Sequence, residues 1–251
     1  MISFENQARE HIANIPTQLT ALYEQSFRDE DIVVIDHLLP SVLANAMRRQ
    51  ALDLVEAHGA RRDLIMDTTG GTPRHYTSVG RDIIRKQNGP ITRFFESDAI
   101  RAYLSKIAAE ELHKVPYIPE EYIVNSQQKP GDTHGWHWDD YTFALIWMVE
   151  APAYDKGGRV EYIPRTKWDK EDSAKALEKF LKNQIVRSPY IPSGSCYLMR
   201  ANTSLHRIAP LDGDTKRTVI VFTYASTSDL TDPTITHETM EQIYADEVAV
   251  D

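Results

Sequence analysis

The run THGWHWDDYTFALIWMVEAP, residues 133–152, carries evidence for a strand and evidence for a site in one stretch. Its second half, TFALIWMVEAP, is apolar, rich in aromatic and aliphatic residues, and closed by Ala-Pro, as a strand is before a turn. Its first half crowds His134, His137, Asp139 and Asp140 among tryptophans. Around it lie more short β-type runs separated by turn residues: EYIVNSQQ (121–128), RVEYIP (159–164), SGSCYLM (193–199) and TKRTVIVFTYAS (215–226). That rhythm is the punctuation of a sandwich or barrel, so the expected class is mainly β with flanking helices.

The helices are expected mostly before this region. Residues 40–58, PSVLANAMRRQALDLVEAH, place Val42, Leu43, Met47, Leu54 and Val55 at near-helical spacing and stop at Gly59, a residue suited to the position just past a helix end. A second helix is expected from Pro90 toward Leu112, with Ile91, Phe94, Phe95, Ile100, Tyr103, Leu104, Ile107 and Ala108 on its apolar face. Within the β region, the charged insertion TKWDKEDSAKALEKFLKNQ (166–184) sets Ala176, Leu177, Phe180 and Leu181 on one helical face and could lie over a cleft. No repeat or Gly/Ser linker divides the chain. One domain over 1–251 is therefore expected: a mostly helical part at 1–120, a β core at 121–226 with a helical insertion near 165–187, and a C-terminal helix within 227–251 packed on the outside.

Composition narrows the class of partner. The 28 Lys and Arg stand against 37 Asp and Glu, a net charge of −9, which disfavours binding to a phosphate backbone. The longest apolar run, Phe143 to Val149, is far short of the roughly 20 residues of a membrane-spanning helix. The single Cys196 has no intramolecular disulfide partner and is most simply a buried strand residue. The start MISFENQAREHIANIPTQL has neither a basic nor an apolar signal region, so the expected compartment is cytoplasmic. A small molecule, rather than nucleic acid or membrane, is the expected partner.

His137 and Asp139 are two residues apart, and in an extended segment such positions project to the same side, where both can ligate one ion. A third ligand has to come from a distant segment; His206 in NTSLHRIAP, beside another expected strand, is the candidate. Two imidazoles and one carboxylate on one face leave three positions of an iron free, the arrangement of non-haem iron(II) oxygenases. Downstream, Arg217 opens a strand and can hold the distal carboxylate of 2-oxoglutarate through a planar two-pronged hydrogen bond that lysine cannot copy. A zinc site on His134 and His137 is the rival arrangement, but Gly135 and the tryptophans disfavour the helix it needs. Trp136, Trp138 and Trp147 are read as packing or cleft walls, and His237, like His11, His37, His58, His75 and His113, has no spacing that pairs it with a ligand.

The order HxD, GGRVEYIP, PSGSCYLM, LHRIAP and a later arginine, from about Glu120 to Ser226, resembles the double-stranded β-helix (jelly-roll, cupin-like) core of iron- and 2-oxoglutarate-dependent oxygenases. More narrowly, PRHYTSVG (73–80), Glu120-Glu121 and HGWHWDD (134–140) resemble the BesD-type free-lysine radical halogenases and their lysine hydroxylase relatives. The resemblance implies Fe(2+) held by His137, Asp139 and His206, 2-oxoglutarate held by Arg217, and consumption of O2 with release of succinate. It implies that Glu120 and Asp140 recognise a substrate ammonium, that Arg74 and His134 recognise an amino-acid carboxylate, and that Thr223 makes a further contact. Two carboxylates at one end and a cation with an imidazole at the other match free lysine, with C4 the implied carbon. In the halogenases a glycine stands at position 139 and chloride takes the vacated place; Asp139 fills it, so the resemblance implies hydroxylation. Strict strand alternation would turn Asp140 away from Asp139, so its role requires a twist or bulge there. The alternatives are a hydroxylase or desaturase of ornithine, arginine or another small cationic metabolite, and a non-catalytic cupin-like binding module on the same scaffold.

Overall fold

The β-type runs become five strands of one sheet: β5 (Tyr122–Gln127), β7 (Phe143–Glu150), β8 (Val160–Ile163), β9 (Cys196–Arg200) and β11 (Arg217–Ala225). The computed structural model describes residues 3–244. Two further strands carry the histidine motifs, β6 (Thr133–His137) and β10 (Leu205–Ile208). The region before residue 120 supplies helices α1 (Phe4–Ala13), α2 (Thr17–Glu30), α3 (Ser41–His58), α4 (Arg81–Lys86), α5 (Pro90–Glu96) and α6 (Asp98–Ala108). It also supplies strands the sequence reading did not single out: β1 (Ile32–Ile35), β2 (Ala60–Met66), β3 (Thr72–Val79) and β4 (His113–Lys114). These are not accessories, because the sheet runs β1-β9-β7-β11-β5-β3-β6-β10-β8, with β3 bridging its two halves and β2 and β4 pairing to β3 and β11. Every pairing is antiparallel.

The run FALIWMV has no polar member because both faces of β7 are covered. Phe143, Leu145, Trp147 and Val149 meet the helical layer, where Leu43, Met47, Phe94 and Leu104 belong to the same cluster. Ala144, Ile146 and Met148 face inward with Tyr197 and Val219, and the same inner cluster contains Val160, Tyr162 and Ile208 from the far end of the sheet. Residues from opposite ends of the strand order can share one cluster only if the sheet curls round on itself. The mainly β jelly-roll with flanking helices is thus the fold present, and the helices lie on the outside of one wall.

Two helical expectations change in detail. The helix expected from Pro90 toward Leu112 is two helices, parted at Ser97, whose backbone is extended and whose hydroxyl accepts from Ile100 N to cap α6; a serine offering that cap stabilises a new start over continuation. Helix α3 does end at Gly59, but with φ −63°, so no left-handed turn demands the glycine. Close approach does: a Cβ there would sit 2.5 Å from both Thr77 Cγ2 and the Val55 carbonyl oxygen.

The insertion forms α7 (Ser173–Asn183), capped by the Asp172 side chain on Lys175 N. Its Ala176, Leu177, Phe180 and Leu181 pack on Trp136, Trp138, Ile163 and Leu205, as their spacing predicted. The C-terminal helix, expected within 227–251, is described as α8 (Glu238–Ile243), and residues 245–251 lie outside the described residues. No helix among the described residues is long and apolar enough to cross a membrane. Cys196 is a free, buried residue on β9.

Candidate metal and substrate site

His206 and His137 are direct partners across the β10–β6 pair. That register sets two imidazoles from distant parts of the chain side by side, with ring centroids 4.1 Å apart. Both rings are oriented by the same device: Nδ1 of His137 donates to Gly135 O and Nδ1 of His206 to Ser204 O, each at 2.8 Å. A carbonyl only accepts, so the proton sits on Nδ1 and the Nε2 lone pair is left for a metal. Asp139 Oδ1 lies 3.4 Å from His137 Nε2 and 3.6 Å from His206 Nε2. One donor atom from each of the three falls within 4.8 Å of the others, the spread that a single ion spans.

Gly135 makes this approach possible. A Cβ there would come within 2.7 Å of Pro73 Cδ and 2.8 Å of Thr72 Cβ, so only glycine lets β3 run against β6 at this point. The strand then ends at His137, and Trp138, Asp139 and Asp140 continue outside regular β structure. The alternation that would have turned Asp140 away therefore does not apply, and Asp139 and Asp140 both line the same cavity.

Burial lowers the His137 imidazole to about 4, helped by neighbouring His206. The ring is neutral, as ligation requires. Burial pushes the Asp139 carboxyl up, but the imidazoles of His206 and His137 and the charge of Arg74 outweigh it and hold Asp139 below the usual carboxylate range. The Asp139 side chain is 27% exposed against 9% and 11% for the two histidines, so the triad opens toward the cavity on its carboxylate side.

Arg217 is the first residue of β11, opposite Gln127 of β5. It is buried, and its polar neighbours are weak: Gln127 Oε1 at 3.4 Å and the sulfur of Met148 at 4.0 Å. Its Nε has no hydrogen-bond partner, and no carboxylate pairs with it among the described residues. Burial accordingly lowers its pKa, while the Tyr197 hydroxyl beside it opposes the shift. A desolvated guanidinium lining a cavity without an anion fits a carboxylate ligand. With three neutral or anionic N/O donors on one open face, the residues present fit iron and 2-oxoglutarate.

The same cavity takes in Glu120, His134, Asp140 and Thr223. His134 is stacked between Tyr76 (5.1 Å) and His137 (4.1 Å), and burial holds it well below the usual histidine range. Burial raises Glu120 to about 7 against the hydrogen bond from His237, with the charges of Asp140 and Asp139 adding to the rise. Burial also raises Asp140, against its ion pair with Lys170. Arg74 stands apart. It is opposite His134 in the β3–β6 pair, but it is wholly buried, bonded to Thr72 Oγ1, Thr69 Oγ1 and Pro73 O, and does not line the cavity. Burial lowers its pKa to about 10.

Several site residues escaped the sequence reading. His237, given no role there, holds Glu120 at 3.3 Å, and Lys170 holds Asp140 at 2.6 Å. The C-terminal helix is not merely packed outside: Thr239, Met240, Ile243 and Tyr244 form part of the cavity wall. Asn125 and Gln127 also line it, and the Asn125 Oδ1 is buried with no partner. The only signal for this pair was weak, since Asn125, Ser126 and Gln127 form a polar run at the end of β5 with no alternation to show which of them face inward. Of the tryptophans, Trp138 is a cavity wall, whereas Trp147 belongs to the helix–sheet core and Trp136 lies beneath Arg207.

The fold has wide company. The epimerase SnoN from nogalamycin biosynthesis, solved with Fe3+, alpha ketoglutarate and nogalamycin RO, superposes with a TM-score of 0.63 at 12% identity over 84% of each chain. A prolyl hydroxylase from Trichoplax adhaerens, solved with a hypoxia inducible factor peptide, gives 0.58 at 12% identity, covering 92% of this chain and 98% of that one. A Pseudomonas putida prolyl-4-hydroxylase gives 0.53 at 13% identity, over 82% and 98%. At such identities the likeness is one of fold. The comparison with curated proteins returns no match. A family model described as halogenase D, however, runs over residues 15–245, taking in every described strand and all three residues of the triad, and the chain therefore belongs to the halogenase D family.

Proposed function

We propose that the protein is an Fe(II)/2-oxoglutarate-dependent oxygenase that hydroxylates an unactivated carbon of a free cationic amino acid, with L-lysine as substrate and C4 as the carbon attacked. The oxygenase class rests on the triad and on Arg217. His137, Asp139 and His206 would hold iron, and Arg217 the distal carboxylate of 2-oxoglutarate. When bound, iron and 2-oxoglutarate would supply, together with O2, the oxidising power that replaces an aliphatic hydrogen by hydroxyl, one oxygen atom of O2 going to the product and the other to succinate as 2-oxoglutarate loses CO2.

The observation that carries the substrate class is the placing of two buried carboxylates, Glu120 and Asp140, on the same cavity as the triad. Desolvated carboxylates call for a cation, and a free ammonium satisfies both. His134 stands on the wall nearest the metal ligands and would donate to the substrate carboxylate, while Arg74 behind it contributes positive potential rather than contact. Thr223, on β11, offers a hydroxyl to orient the chain. Held at both ends, the aliphatic middle of the substrate is presented to the metal side of the cavity, and positioning is what the protein contributes to the reaction.

The presence of Asp139 favours hydroxylation over halogenation despite the family's name, because a third protein ligand takes the coordination place a halide would need. Incubation with iron(II), 2-oxoglutarate, ascorbate and a panel of free amino acids should give a product 16 mass units heavier from lysine, with succinate formed in step. Lysine-independent succinate formation alone would refute the lysine assignment, and turnover of ornithine or arginine instead would move it within the cationic class.

A further inference from the structure

Both carboxylates assigned to the substrate ammonium already hold a base from a segment outside the sheet. His237, just before α8, reaches Glu120. Lys170, just before α7, sets its Nζ 2.6 Å from Asp140 Oδ1. The two bases are not held alike. The His237 ring is stacked on Tyr117 at 3.8 Å and 6°, a fixed aromatic seat. Among the described residues, the Lys170 ammonium otherwise has Thr234 O at 3.0 Å and the face of Trp168 at 4.6 Å. Trp168 in turn stacks on the cavity wall residue Trp138, at 6.2 Å and 12°. The Asp140 side chain is 7% exposed and that of Lys170 36%, so the carboxylate belongs to the interior and the amine reaches in from the surface.

We infer that Lys170 is an internal counter-ion to Asp140 that the substrate's ammonium replaces, and that this exchange makes Lys170 a specificity-determining residue. The inference rests on Glu120 and Asp140 forming the ammonium end. A nearly buried carboxylate stripped of its cation is costly, and only an incoming cation restores the pairing. A primary ammonium offers the three donors that Lys170 withdraws. A neutral analogue of the same shape offers none, so it must bind with Lys170 still in place, in a smaller cavity, or leave Asp140 unpaired. Discrimination against neutral side chains therefore comes from a competitor built into the chain as much as from the attraction of the carboxylates.

Lys170→Met removes the charge and keeps an apolar stem over Trp168. Binding is measured by calorimetry on protein loaded anaerobically with iron(II) and 2-oxoglutarate, using lysine, norleucine and n-butylammonium. Lysine should bind the variant about ten-fold more tightly than the wild type, as expected when an opposing charge pair no longer has to be broken, while norleucine binds both alike. Lysine binding that is weaker in the variant would show Lys170 to be a clamp that closes over substrate, and the exchange would be wrong; equal lysine affinity would overturn it while leaving the lysine reading intact. If lysine binds neither form but n-butylammonium gains affinity in the variant, the exchange stands and the lysine reading falls. A variant that fails to fold leaves a test in the wild type: hydrogen exchange over residues 166–173 should rise with lysine and not with norleucine, and no rise would overturn the inference.

Discussion

The end of the cavity proposed for the metal and the end proposed for the substrate's ammonium are built on opposite principles. At the metal end, two of the candidate ligands are cross-strand neighbours on β6 and β10, each ring held by a carbonyl two residues back in the chain. Arg217 likewise issues from a sheet strand. At the ammonium end, Glu120 and Asp140 lie just outside strands, and their partners come from the insertion and the C-terminal segment. Backbone-positioned groups hold one geometry, as a metal demands. A group paired through a long side chain from a peripheral segment, as Asp140 is with Lys170, can exchange partners. On the proposed reading, the metal chemistry is thus lodged in the sheet, and the selectivity in what is draped over it.

The sharpest way to break this contrast is at the metal end. Asp139→Gly should lower hydroxylation by roughly a hundred-fold or more, since even partners of metal ligands cost 10–100-fold when lost, and should make the spectrum of the bound metal sensitive to chloride. Unchanged hydroxylase activity would mean that Asp139 is not a ligand. Arg217→Ala should weaken 2-oxoglutarate by roughly 2–4 kcal/mol, read as a rise in its KM with little change in the KM for lysine. A matching rise in both would place Arg217 on the substrate instead.

The smallest effect belongs to the ammonium end and depends on pH. Glu120 is raised to about 7 by burial, and the bond to Glu120 raises His237. An ammonium needs the carboxylate ionised and released from a charged His237, so lysine affinity should improve as pH rises from about 6 to about 8. Glu120→Gln should flatten that profile and cost about ten-fold at the upper end; a profile that keeps its slope would assign it to another group. For folding the sign is opposite. A carboxyl raised above its unfolded value contributes stability fully below its ordinary pKa of 4.5, and that contribution is lost as pH climbs through about 7.

What could be read from the sequence divides along the same line. The five β-type runs, the helix at 40–58 and the apolar face of α7 were legible because periodicity is local. Asp139 was legible from its spacing to His137, and His206 and Arg217 from motif order. The strands β1, β2 and β3 were not singled out. ARRDLIM and TPRHYTSV are mixed in polarity, and their strand character comes from pairing with each other and with β5 and β6. The break at Ser97 was hidden because the apolar pattern continues on both sides of it, and only the cap hydrogen bond distinguishes two helices from one.

By itself, then, the sequence determined the mainly β class and marked His137, Asp139, His206 and Arg217 as candidates for a metal and a carboxylate, since these follow from residue type, short-range spacing and motif order. Only the tertiary structure decided that β3 joins the two halves of the sheet, that Arg74 sits behind the cavity wall, and that Lys170 and His237 hold the two carboxylates. Those contacts join groups 30 and 117 residues apart, and no local pattern encodes a pairing that chain curvature alone brings about.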